Sequence, residues 1–78
     1  MTLKDAHPGE TVLVKSVVGE KNNEIKRRIM AFGILPGVKI KVIKFAPFGD
    51  PIQISVLGFD LLIRGTEASQ ILVKYDKD

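Results

Sequence analysis

The chain has 78 residues, enough for one domain over residues 1–78, and a chain this short buries only about 60% of the surface that it exposes when unfolded. Hydrophobic residues make up 45% of it, too many for a disordered chain, and the formal net charge of +3 is too small to indicate nucleic-acid binding by itself. The absence of cysteine excludes disulfides, zinc–thiolate sites and thiol catalysis, and without an apolar signal core or a membrane-length apolar run we expect a cytoplasmic protein.

The chain begins with a lead-in and a strand. Leu3 to Glu10 contains the turn-forming triplet His7-Pro8-Gly9, and the loosely alternating residues Thr11 to Val18 predict the first strand. Gly19 to Asn23 is polar and predicts a turn before the next element.

A short helix is predicted to follow and to run to about Phe32. Asn22 or Asn23 can cap its first turn, because a short side-chain acceptor satisfies a backbone N–H that has no partner within the helix. Apolar residues recur at positions i, i+4 and i+7 and predict one buried helical face: Ile25, Ile29 and Phe32.

The helix is predicted to end in a rigid structural turn. Gly33 follows the last periodic residue, where a left-handed glycine commonly ends a helix, and Ile34 is then placed to contact Ile29. Pro36 and Gly37 suit the central pair of a type II turn, because proline fixes the first φ and glycine supplies the positive second one. Pro36 also restricts Leu35 to an extended conformation.

The second half of the chain predicts three strands, a helical turn and a last strand. Ile43 and Phe45 fall on the lysine-bearing face of the first of these strands, so a bulge or strong twist must re-aim them, or that face becomes apolar near its end. The predicted elements are a strand at Val38–Phe45, a loop at Ala46–Pro51, a strand at Ile52–Val56, a turn at Gly58, a strand at Asp60–Arg64, a helical turn capped by Thr66 and running through Gln70, and a strand at Ile71–Tyr75.

Five short strands with one early helix favour a mainly β, small barrel over a layered sandwich. The pattern alone leaves an OB-type barrel open as well. No internal repeat or low-complexity segment divides the chain.

Arg27 to Gly37 resembles the signature of the FeoA-like family: a basic pair, two apolar residues, then apolar-Gly-apolar-x-Pro-Gly. Similar stretches follow at Phe45–Pro51, at Ile52–Ile54 and at Glu67-Ala68, so the resemblance extends from about Leu3 to Val73. It implies an SH3-like β-barrel of about five strands, with one helix inserted between the first and second strands and a short helical turn before the last.

The resemblance also implies a function, which is to assist ferrous iron uptake by binding and modulating a permease that carries a cytosolic GTP-binding domain. Such a protein would meet the membrane only through its partner. We expect no cofactor and no catalytic residue, since only a turn residue, His7, could act as a base toward the three serines. His7 with Asp5 and Glu10 could join an oxygen-rich metal site, but we interpret it as a solvated turn residue and assign no metal ligand.

Apolar residues outside the predicted core are candidates for a protein-binding surface. Met30 points away from the buried helical face, and Leu35 and Phe48 lie in turns. Lys26, Arg27 and Arg28 are predicted to surround that surface with positive charge and to attract an acidic partner to it. The candidate partner-binding residues are therefore Met30, Leu35, Lys26, Arg27 and Phe48, whereas Phe45 and Phe59 could instead plug the open ends of the barrel.

Two other functions remain open from the sequence. Lys39, Lys41 and Lys44 with nearby aromatic residues could bind nucleic acid, although interspersed acidic residues argue against it. The chain could also be a metal-responsive regulatory module similar to the SH3-like domain of iron-dependent repressors.

Overall fold

The computed structural model describes residues 1–19 and 23–76, and within them the chain forms five strands and three short helical segments. No helix in these two ranges is long and apolar enough to cross a membrane. The elements are a 3₁₀ turn at Leu3–Asp5, β1 at Thr11–Val17, α1 at Glu24–Ala31, β2 at Lys39–Phe45, β3 at Ile52–Val56, β4 at Phe59–Ile63, α2 at Gly65–Ala68 and β5 at Ile71–Tyr75.

The strands form one antiparallel sheet in the order β4-β3-β2-β1-β5. The predicted mainly β class, the five strands and the helix between the first two of them are confirmed. The two edge strands β4 and β5 are not paired with each other in the described parts of the chain, so the sheet is not closed. Apolar side chains from every strand meet in one buried core.

A β-bulge in β2 explains how apolar residues at the end of that strand can face the core. Val42 pairs with Ile54 whereas Lys44 pairs with Gln53, so Ile43 is the extra residue of the bulge. Beyond it Phe45 lies opposite Ile52, and its ring packs partly buried against the core. Of the alternatives open from the sequence, the bulge is the one found.

The lead-in is more ordered than its sequence predicts. Its 3₁₀ turn brings Leu3 into the core, where the side chain is fully buried. Thr2 forms a β-bridge with Leu72, and the N–H of Val73 donates to the carbonyl of Met1 at 3.0 Å. The first residues therefore cover the outer edge of β5.

Asn23 is the N-terminal cap of α1, and Asn22 lies outside the described residues. The Oδ1 atom of Asn23 accepts the N–H groups of Ile25 at 2.9 Å and Lys26 at 3.2 Å. At the other end Phe32 closes the last turn, and Gly33 follows at φ +82° and donates its N–H to the carbonyl of Met30 at 3.0 Å. The next residue, Ile34, is fully buried.

The turn after α1 is fastened to β1. The N–H of Val38 donates to the carbonyl of Leu35 at 3.1 Å, and Gly37 lies at φ +92°, as at the third position of a type II turn. The N–H of Gly37 also donates to the carbonyl of Val14 at 2.8 Å, which in turn ties the loop to the sheet. Leu35 is therefore presented on a restrained segment.

The prediction that Thr66 caps the last helical turn is wrong. The N-terminal cap is Arg64, whose backbone N–H donates to Oε1 of Glu67 at 2.9 Å, while Thr66 is exposed inside the turn. The carboxylate three residues further along reaches back to the cap, so the helix starts two residues earlier than a Thr66 cap would allow. Glu67 is only 3% exposed as a result.

Gly33→Ala should lower the free energy of unfolding by about 1 kcal/mol or more, because an L-residue is strained at positive φ. An added Cβ would also lie 2.7 Å from Cδ1 of Leu57, which must move aside. Urea melts measure the loss. Gly65→Ala is the matched control, since its Cβ would make only ordinary contacts from 3.6 Å outward, and we expect it to be neutral. A midpoint for Gly33→Ala equal to wild type would contradict the prediction.

Candidate functional site

An apolar groove lies between β1 and the end of α1 with its following turn. It has a volume of about 190 Å³ and is open to solvent. Met30 and Leu35 are 43% and 42% exposed, whereas Ile34 is fully buried beneath them. The residues that line this apolar groove are Ser16, Val17, Lys26, Met30, Ile34, Leu35 and Pro36.

Local sequence explains why the groove forms. Met30 follows the fully buried Ile29 by one residue, and each helical step rotates a side chain by about 100°, so Met30 emerges beside the core face. Lys26 lies one helical turn earlier, and its Nζ donates to the carbonyl of Gly19 at 3.2 Å. The lysine therefore lies at the rim, and its charge is beside an otherwise apolar surface.

The structure brings three of the five predicted partner-binding residues together in the groove: Lys26, Met30 and Leu35. Arg27 is exposed on α1 but does not line the groove, and Phe48 is fully exposed in the separate loop between β2 and β3. Phe59 is 69% exposed, so its predicted role as a plug of the barrel end is wrong.

Arg28 does not join the basic rim that the sequence predicts around the groove. Its Nε lies 3.4 Å from Oε2 of Glu67, and its guanidinium lies 5.9 Å from the centre of the Phe32 ring. It faces a second, polar cleft of about 390 Å³ between α1 and α2. The positive charges of two arginines and the negative charges of two glutamates balance in this cleft. The residues that line it are Glu24, Ile25, Arg28, Arg64, Thr66 and Glu67.

Sequence reasoning missed Leu57. This residue and Gly58 form the two-residue turn between β3 and β4, at φ +53° and +83°, as in a type I′ turn. A leucine is strained at positive φ. The side chain of Leu57 is 60% exposed, and its Cδ1 lies over Gly33 at the end of α1. The available signal was Leu-Gly between two strands, where Asn-Gly or Asp-Gly is usual.

The acidic residues near His7 are occupied by their own turns. The backbone N–H of His7 donates to Oε1 of Glu10 at 2.6 Å and lowers the pKa of that carboxyl, and the ring Nδ1 lies 3.3 Å from the same oxygen. The N–H of Thr2 donates to Asp5 at 2.8 Å and lowers its pKa in the same way. Across residues 1–19 and 23–76, no three His, Asp or Glu side chains are grouped to hold a metal ion.

We expect the isolated monomer to have no specific Fe²⁺ or Zn²⁺ site of micromolar affinity or better. Strong first-row metal sites gather several nitrogen or sulfur ligands, and the chain has one histidine and no cysteine. Anaerobic titration calorimetry measures this directly, with His7→Ala as the control for weak binding at the single imidazole. A stoichiometric site of micromolar affinity or better in the wild type would overturn the prediction, whether or not His7→Ala removes it.

A family model described as the FeoA domain matches residues 1–75. Among curated proteins, the chain is 27% identical over 74 residues to an Fe(2+) transport protein A/Fe(2+) transporter FeoB fusion protein of Porphyromonas gingivalis. That match covers 95% of the chain but only 8% of the fusion protein.

Solved structures agree with the family match. A FeoA-like protein from Clostridium acetobutylicum superposes with a TM-score of 0.90 and 32% identity, over 100% of this chain and 88% of that one. FeoA of Stenotrophomonas maltophilia, described as an SH3-domain protein and complexed with zinc, gives 0.85 and 26%, over 95% and 89% of the two chains. The SH3-like fold that the resemblance implied is thereby confirmed.

Two further solved structures, the manganese regulator SloR and IdeR of T. acidophilum, share only the fold with this chain. The second superposes with a TM-score of 0.83 at 24% identity, over 97% of this chain and 34% of that one. At this identity the likeness concerns architecture.

Proposed function

The chain belongs to the FeoA family, and on that premise we propose that it is a non-catalytic, cytoplasmic accessory protein of ferrous iron uptake. It binds the cytosolic, GTP-binding part of a FeoB-type permease and modulates it. The observation that carries this proposal is the fusion protein of P. gingivalis, in which a region similar to this chain is joined to FeoB. Joining two proteins in one polypeptide raises the effective concentration of each near the other. A fusion therefore favours binding between two proteins that act together.

The apolar groove is the surface that we assign to the permease. Burying Met30 and Leu35 against a partner would remove their apolar surface from water, which is the dominant favourable contribution in most protein–protein association. Leu35 is held by the turn bonded to β1, so little conformational entropy is lost when it is bound. Lys26 at the rim and Arg27 nearby are placed to accelerate encounter with an acidic partner.

The nucleic-acid alternative receives less support from the charges. Of the three β2 lysines that could contact phosphate, Lys39 already lies 3.3 Å from a carboxylate oxygen of Asp76. The net charge of +3 would also give only a weak field for phosphate binding. The regulatory alternative rests on shared architecture alone, which does not determine function.

Titration of the purified chain against the purified cytosolic domain of a FeoB-type permease tests the proposal. We expect saturable binding that persists as salt is raised, together with a changed rate of GTP hydrolysis by the permease domain. Duplex DNA is the control, because binding through phosphates falls steeply with salt. Salt-sensitive DNA binding with no binding to the permease domain would favour the nucleic-acid alternative instead.

A further inference from the structure

The two edges of the sheet differ in how they are protected. Met1 and Thr2 cover the outer side of β5 through the bridge to Leu72 and the hydrogen bond from Val73. The outer side of β4 pairs with no strand in the part of the chain that the structure describes. An uncovered edge strand exposes backbone groups that can pair with another strand.

The register of the β3–β4 hairpin identifies these backbone groups. In a hairpin with a two-residue turn, the residues that flank the turn form a hydrogen-bonded pair, and hydrogen-bonded pairs then alternate along the strands. The inward-bonded residues of β4 are accordingly Phe59, Leu61 and Ile63, paired with Val56, Ile54 and Ile52. Asp60 and Leu62 therefore direct their N–H and C=O groups outward.

Arg64 limits this free edge at its far end. Its N–H donates to Glu67, and its carbonyl accepts the N–H groups of Glu67 and Ala68, both at 2.9 Å. Among the residues that the structure describes, two donors and two acceptors of β4 thus remain without a partner, all from Asp60 and Leu62. Asp60 is the only charged residue within β4, which contains neither lysine nor proline, and its exposed side chains include Leu62 at 65%.

We propose that β4 pairs antiparallel with β4 of a second copy of this chain, about a twofold axis at Leu61. In this register Asp60 of each copy lies opposite Leu62 of the other, so all four outward groups of each strand are bonded. The same register places Phe59 opposite Ile63 of the second copy and Leu61 opposite its counterpart. The edge is therefore complementary to itself, as a twofold interface requires.

The charges at and beside β4 support pairing with a second copy of this chain. Asp60 and Arg64 lie two residues on either side of Leu62, and both are exposed. In the proposed register Arg64 is diagonal to Asp60 of the second copy, a spacing that a long side chain can reach across an antiparallel pair. A second copy thus supplies backbone groups, apolar contacts and opposite charge at once.

Sedimentation equilibrium over a wide concentration series tests this with the whole chain. We expect the apparent mass to rise from 8.6 kDa toward twice that value. Leu62→Pro removes an outward donor without removing a bond to β3, and should weaken self-association about tenfold or more. Leu62→Val keeps the donor and should associate like wild type. A wild type that stays at 8.6 kDa at every concentration, or a folded Leu62→Pro that associates equally well, would overturn the proposal.

Amide hydrogen exchange of the wild type tests the same proposal if Leu62→Pro does not fold. Exchange at Asp60 and Leu62 should slow as concentration rises, while exchange at Leu61, already bonded to β3, should not change. Charge variants add a test of partner choice: Asp60→Arg and Arg64→Asp should each associate poorly alone, and a mixture of the two should associate. Concentration-independent exchange at Asp60 and Leu62, or slowing only when the permease domain is added, would rule out the second copy as occupant.

Discussion

Replacing Met30 or Leu35 with aspartate should abolish binding to the cytosolic domain of a FeoB-type permease while the chain stays folded. Each side chain is already more than two-fifths exposed, at 43% and 42%, so a carboxylate at either position can remain hydrated in the free protein. At the centre of an interface the same carboxylate would be buried without a partner, which costs several kcal/mol. Titration calorimetry measures the affinity, and a thermal melt of each variant checks the fold.

Three further variants define what that result means. Tyr75→Asp, which places a carboxylate at a similarly exposed position on β5, should bind like wild type, and Lys26→Gln should mainly slow association and change its salt dependence. Should both groove variants unfold, Met30 and Leu35 belong to the core. Should they stay folded and still bind, the interface lies elsewhere, and Phe48→Asp then tests the loop between β2 and β3.

Glu67→Ala should lower the free energy of unfolding by about 2 kcal/mol. The carboxylate accepts the N–H of Arg64 at 2.9 Å, and losing such a cap costs roughly 1 kcal/mol. Glu67 is only 3% exposed, so the loss of its one buried γ-methylene group adds about 0.8 kcal/mol at most. Chemical denaturation followed by circular dichroism gives the value.

Two matched variants separate the cap from the ion pair. Glu67→Gln keeps an oxygen that can accept the N–H of Arg64, so we expect a loss smaller than that of Glu67→Ala. Arg28→Gln leaves the cap in place and removes the ion pair with Glu67 together with the contact of the guanidinium with the Phe32 ring, and because Arg28 is 59% exposed the loss should stay below about 1 kcal/mol. An Arg28→Gln variant as unstable as Glu67→Ala would mean that the ion pair, and not the cap, stabilises α2.

Local patterns predicted much of the fold. The helix, its glycine end and the Pro36-Gly37 turn are determined by residues close together in sequence, so their signals can be read from the chain itself. The bulge at Ile43 could not be assigned, because it depends on which residue of β3 each residue of β2 meets. The sequence predicts the wrong cap for α2 because threonine is a common cap, whereas here the carboxylate of Glu67 accepts the backbone N–H of Arg64.

The candidate site likewise has residues that local sequence predicts and residues whose position depends on distant contacts. Lys26, Met30 and Leu35 come together because they lie within a helix and the turn that directly follows it. Its neighbours in sequence predict that Arg28 lies with them, but Glu67, far along the chain, holds it in the other cleft. The position of Leu57 over Gly33 is likewise a contact between distant segments, which a helical wheel cannot show.

The strand order β4-β3-β2-β1-β5 also determines when each part of the sheet can form during folding. The meander of β2, β3 and β4 joins strands that are neighbours in sequence, whereas β1 meets β5 from the opposite end of the chain. Closing that long loop costs entropy before its contacts stabilise anything, so we expect the meander to form early and the β1–β5 seam late. Destabilising substitutions in β5 would then mainly speed unfolding, and those at the centre of the meander would mainly slow folding.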